Sequence, residues 1–123
     1  MESLNSASYR ITLGEKGSTL YISKSVVRAV GVPNYISLRV NESNDSLIIT
    51  PCDEKQVLSF KVPEHLFNNQ NVKMRIYSQR FVSEMMAANG LDVQITCSFY
   101  GRYIPGQNCV VFPIGLGSME RAQ

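Results

Sequence analysis

Alternation of apolar and polar positions dominates the chain. In "YRITL", Tyr9, Ile11 and Leu13 alternate with Arg10 and Thr12, the period-two pattern of a half-buried strand. "GEKGS" supplies glycines for a turn, and "TLYIS" repeats the alternation with Leu20 and Ile22 on one face. The period then changes. Val26, Val27 and Val30 form the stripe of a short helix, with Ser23 as the expected N-cap. Gly31 suits the left-handed position after a helix, and Pro33 cannot continue one. Valines lose χ1 freedom in a helix, so packing must hold this one. "YISLRV" and "SLIITP" read as two strands joined by the turn-rich "NESND".

The same order follows again. "LSFKV" alternates as a strand, and the polar connection "PEHLFNNQN" leads to "VKMRIY", with Met74 and Ile76 on one face and Lys73 and Arg75 on the other. Ser78 is the expected N-cap of a second helix carrying Phe81, Val82, Met85 and Met86, which stops at Gly90. "DVQITCSFY" places Val93, Ile95, Cys97 and Phe99 inward, "GRYIPGQN" is a turn region, and "CVVFPI" closes the pattern. Thr19–Ser23 superposes on Lys73–Tyr77, whereas Ser23 of the first helix start matches Ser78, so an insertion lies at that junction. Recurring punctuation in this order predicts an internal duplication. Residues 1–8 and 115–123 show no pattern and are expected to be disordered. The domain spans 9–114, with repeats at about 9–52 and 58–114.

At 123 residues, 44% hydrophobic and 18% charged, the composition is that of one ordinary globular domain. No apolar run approaches the roughly 20 residues of a membrane span, and "MESLNSAS" does not read as a signal peptide, so a cytoplasmic protein is expected. Cys52, Cys97 and Cys109 are read as buried thiols, a Cys97–Cys109 disulfide requiring that their strands pair directly. The lone His65, beside Glu64, has no second ligand or triad partner in the pattern, so neither an enzyme nor a metal or cofactor site is expected.

A net charge of +2 excludes little by itself. Its distribution carries more. From Tyr9 to Arg39 the charges are Arg10, Lys16, Lys24, Arg28 and Arg39 against Glu15 alone, and from Leu58 to Val82 they are Lys61, Lys73, Arg75 and Arg80 against Glu64 alone. Acidic residues gather instead in "NESND" and "CDEK".

The run from Leu20 to Pro51 resembles the AbrB/SpoVT and MazE family of swapped-hairpin DNA-binding domains. The resemblance rests on "YISKSVVRAVGV", "YISLRV" and "SLIITP", with Lys24 after the strand, Arg28 in the helix and Gly31-Val32 at its stop. Ser23 stands where the family has proline, and Ser18-Thr19 replaces a usual Gly-Arg. In that family two halves from two chains interlock into one double-psi-like β-barrel. The resemblance therefore implies a mainly β fold with two short helices, closed by the two repeats of a single chain or by a homodimer. It also implies a small DNA-binding transcription regulator of bacterial or phage type, gripping duplex phosphates through Arg10, Lys16, Lys24, Arg28, Lys73, Arg75 and Arg80. The alternative is a protein-interaction module, antitoxin-like or a phage-encoded inhibitor, that has lost DNA binding. The aromatic "FYGRY" segment is read as hairpin packing in either case.

Overall fold

The computed structural model describes residues 9–68, 73–115 and 120–121. Its strands are β1 (Arg10–Gly14), β2 (Thr19–Ser23), β3 (Tyr35–Val40), β4 (Ser46–Cys52), β5 (Ser59–Lys61), β6 (Lys73–Tyr77), β7 (Cys97–Tyr100), β8 (Arg102–Ile104), β9 (Cys109–Pro113) and β10 (Glu120–Arg121). The helices are α1 (Lys24–Ala29), between β2 and β3, and α2 (Gln79–Ala88), between β6 and β7. They form a mainly β fold of two five-stranded antiparallel sheets, ordered β10-β7-β1-β2-β6 and β5-β3-β4-β9-β8. Ile11, Leu13, Leu20, Ile22, Met74, Ile76 and Phe99 of the first sheet share one apolar core with Ile36, Leu38, Leu47, Ile49, Val110 and Phe112 of the second. Among the described residues no helix is long and apolar enough to cross a membrane.

The expected closed barrel is not what the hydrogen bonds make. Among the described residues the ladders end at β6 and β10 on one sheet and at β5 and β8 on the other. β5 is only three residues long and pairs with β3. Pro63, which has no N–H to donate, follows Val62 and breaks any continuation of the ladder.

The pairings nevertheless repeat. β2·β6 is centred on Tyr21 opposite Arg75, so Thr19 faces Tyr77 and Ser23 faces Lys73. β4·β9 likewise sets Ile48 opposite Val111, within a ladder running from Ser46 opposite Pro113 to Ile49 opposite Val110. The shift that carries Val40 to Tyr103 carries Leu47 to Val110, and both pairs are cross-strand partners. Ile36 opposite Phe60 recurs as Phe99 opposite Ile11. Among the described residues β1·β2 and β10·β7 have no counterpart. The pattern is that of an approximate twofold relating the halves.

Several local expectations fail for identifiable reasons. "FYGRY" is not a hairpin loop. It is one strand bent at Gly101, leaving the first sheet as β7 and entering the second as β8. A Cβ at Gly101 would lie 2.5 Å from Cε2 of the buried Phe112 ring, so the bend needs glycine for clearance. Val93 and Ile95 are only half-buried and precede β7, because Asp92 accepts backbone N–H bonds from Gln94 and Ile95 and folds a turn there. In "LSFKV" the alternation inverts. Leu58 is exposed at φ 59°, and Ser59 turns inward because its Oγ bonds both the N–H and the carbonyl of Gln56.

Neither Ser23 nor Ser78 makes a side-chain capping bond. Ser23 Oγ instead accepts the Arg10 N–H at 3.1 Å and shares a bond with Ser25 Oγ. The helix stops are as expected, with Gly31 at φ 97° and Gly90 at φ 70°. The N–H of Val32 closes onto the Val27 carbonyl, and that of Leu91 onto the Met86 carbonyl. All three cysteines are buried and free. β7 pairs with β1 and β10 while β9 pairs with β4 and β8, so Cys97 and Cys109 do not face each other. The expected lead 1–8 lies outside the described residues, as do 116–119 and 122–123 of the expected tail. Glu120 and Arg121, within that tail, pair with Ser98 and Cys97.

Gly101→Ala is expected to destabilise the fold by about 2 kcal/mol through overpacking against Phe112, seen as a lower urea midpoint with unchanged slope. Val32→Asn should act in the opposite direction. Val32 is a β-branched residue held at φ 49° and half exposed, and asparagine tolerates that conformation. A gain of about 1 kcal/mol in the same denaturation experiment is the expected size.

A candidate nucleic-acid interface on the outer face of one sheet

Strand alternation fixes what the first sheet shows to solvent. Because Ile11, Leu13, Leu20, Ile22, Met74, Ile76 and Phe99 turn inward, the residues between them turn out. Register then sets them in rows. One row runs Tyr100, Arg10, Ser23, Lys73, and the next Ser98, Thr12, Tyr21, Arg75. Tyr77 lies opposite Thr19 beyond them. Three cations thus meet on one face: Arg10 from the first half, Lys73 and Arg75 from the second. Among the described side chains of these rows there is no carboxylate.

Tyr21 is the hub. Lys73 Nζ sits 4.5 Å from the centroid of its ring, within cation–π range. Its hydroxyl donates to Glu15 Oε2 at 3.0 Å, and Arg75 is its cross-strand partner. Thr12 Oγ1 and Ser98 Oγ share a bond of 2.8 Å. Arg10, Thr12, Tyr21, Ser23 and Lys73 enclose a shallow hollow of about 30 Å³. Burial raises the Tyr21 pKa above its ordinary value, and the hydrogen bond to Glu15 and that carboxylate's charge push the same way, while Arg75 pulls it down. The Cys97 thiol, beneath this sheet, is also raised by burial.

The other four expected contacts do not join this face. Lys24 and Arg28 of α1 lie over the Phe67 ring, at 5.8 and 4.9 Å from its centroid. The "PEHLFNNQN" connection, expected to be polar, thus docks Phe67 against α1 and buries Leu66. Lys16 occupies the exposed β1–β2 turn at φ 58°. Arg80 is in the first turn of α2, its Nε bonded to Glu84 Oε2 at 3.1 Å, so its charge is already matched. His65 and Glu64 are exposed in the turn before β6, and among the described residues no three His, Cys, Asp or Glu side chains gather as metal ligands.

Sequence reasoning missed Thr12, Ser98 and the tyrosines at 21, 77 and 100. Tyr77 shares the parity of Lys73 and Arg75 in one strand, a signal that was present. Tyr100 needed the β1·β7 register, which is not local. Comparison of the chain with protein-family models, with curated proteins and with solved structures finds no match. The face has to be read from its own geometry.

The Tyr21 arrangement makes a titration test. Its phenol holds its proton more tightly in the folded state, so its contribution to stability is complete below about pH 10 and is lost as pH rises through the folded pKa. In ultraviolet difference titrations of the wild type against Tyr21→Phe, this phenol should ionise above the usual tyrosine range. Glu15→Gln should move it back towards that range without reaching it, because burial is the larger cause.

Proposed function

We propose that this chain is a small DNA-binding regulator of the AbrB-like, swapped-hairpin kind, working in the cytosol and holding duplex phosphates against the outer face of the first sheet. One observation carries the reading: Arg10, Lys73 and Arg75, contributed by both halves, converge on a single solvent-facing surface around Tyr21. Clustered cations are what distinguish a polyanion face from solubilising charges, since neutralising phosphates releases counterions. Hydroxyls at Thr12 and Ser23, with Ser98 buried behind Thr12, suit backbone positioning more than base reading.

The interlocked pairings favour the swapped-hairpin architecture. β1·β7, β2·β6, β3·β5 and β4·β9 all join a strand of one half to a strand of the other. In two separate chains such halves would have to overcome the entropy of association, and fusion removes that cost. The chain acts as its own pseudo-dimer under this reading, and it needs no cofactor.

The test is fluorescence anisotropy with a random-sequence duplex across a salt series. Three phosphate contacts predict a slope of log affinity on log salt of about −3. Lys73→Ala with Arg75→Ala should make it shallower by about 2 and weaken binding at every sequence alike. Arg80→Ala, which removes a cation already paired with Glu84, should leave both unchanged. No duplex binding even at low salt would refute the proposal in favour of the protein-interaction module.

A further inference from the structure

The outer face of the first sheet carries more aromatic surface than duplex phosphates can use. Tyr77 is 68% exposed and Tyr100 is 43% exposed, large rings left in water among the described residues. Among the described residues β6 is an edge strand, and no other strand of the sheet covers the side of Tyr77 away from β2. The registers put Tyr100, Tyr21 and Tyr77 on one diagonal. Tyr77 is one strand across and two residues along from Tyr21, about 8 Å away on the pleated-sheet spacings, and Tyr100 is about 12 Å from Tyr21 on the other side. Cations alternate with these rings. Arg10 stands between Tyr100 and the centre, Lys73 lies over Tyr21, and Arg75 is flanked along β6 by Lys73 and Tyr77.

We infer that this face also takes single-stranded nucleic acid, its bases stacking on Tyr100 and Tyr77 while Arg10, Lys73 and Arg75 follow the phosphates. The inference rests on the reading that this face binds nucleic-acid phosphates. It adds a partner that only the tyrosines recognise. A duplex keeps its base faces stacked within the helix and offers those rings nothing, whereas a single strand exposes them, and every base has such a face. The diagonal from Tyr100 to Tyr77 measures about 20 Å, enough for a strand of about four nucleotides, at the small end of known single-strand sites. Tyr21, its ring already under Lys73 and its hydroxyl held by Glu15, is the fixed centre of the platform. Recognition of this kind is sequence-tolerant and depends on salt as well as on the rings.

The experiment compares the full chain with Tyr77→Ala/Tyr100→Ala and Tyr77→Phe/Tyr100→Phe, each titrated into a short labelled oligothymidylate and into a duplex of equal length. Both tyrosines are exposed, and matching denaturant midpoints will establish that the variants fold. The alanine pair is expected to bind the oligothymidylate about tenfold or more weakly, with an unchanged salt slope and unchanged duplex affinity. The phenylalanine pair, which keeps the rings, should bind like the wild type. Binding of oligothymidylate that ignores loss of the tyrosines overturns the inference, as does binding of duplex alone, which leaves the duplex reading standing. Binding of oligothymidylate alone, lost with the tyrosines, supports the inference and removes the duplex reading. Binding of neither overturns both.

Discussion

Five residues of β2 pair with five of β6, and every other feature of the first sheet depends on that ladder. Thr19–Ser23 and Lys73–Tyr77 are far apart in sequence, so joining them carries the loop-closure cost of a long intervening segment. What offsets it is burial: Leu20, Ile22, Met74 and Ile76 all become inaccessible on the inner face. A slip of β6 by one residue in this register would turn Met74 and Ile76 outward and bring Lys73 and Arg75 into the core. The same register that hides the apolar set therefore fixes the cations on the other side. Core and candidate interface are two faces of one constraint.

The second sheet is tied to the first through the bend at Gly101, where β7 becomes β8. Phe112 packs so closely that no side chain fits beneath it. The bend lets one strand serve both sheets, pairing β1 before the glycine and β9 after it. β3 does the corresponding work in the first half while staying straight, pairing both β5 and β4. The halves thus reach equivalent pairings by different local means, consistent with a duplication whose copies have diverged.

What could be read in the residues is what short-range physics decides. Alternation in "YRITL", "TLYIS" and "VKMRIY" set the inward and outward faces correctly, and Gly31 and Gly90 marked both helix ends. The failures arise where a side chain competes with the backbone or where a partner is distant. Ser59 and Asp92 each redirect a strand through their own hydrogen bonds. Ser23 is drawn away from its helix by the Arg10 N–H across the sheet. Phe67 is partly buried beside α1, where two cations of that helix meet its ring, which a polar-looking connection does not advertise. Of the seven expected contacts, the three that share the sheet face are those whose position follows from strand parity. Lys16, Lys24, Arg28 and Arg80 sit on turns and helices, where parity has nothing to say.

The approximate twofold has a consequence for recognition under the proposed reading. At the centre of β2·β6 the twofold exchanges Tyr21 with Arg75, and it exchanges Ser23 with Tyr77 and Thr19 with Lys73. The backbone is symmetric there and the side chains are not. A symmetric dimer reads a palindromic duplex because each half presents the same groups to each half-site. Here one half offers a phenol and the Ser23 hydroxyl, Thr19 being buried, where the other offers a guanidinium, an ammonium and a second aromatic ring. Two identical half-sites would meet unlike chemistry, so the face is suited to a ligand with direction. A single strand has direction along its whole length, and a duplex acquires it only through an asymmetric sequence. Under that reading, unlike side chains on the two halves turn a symmetric backbone into a surface with direction.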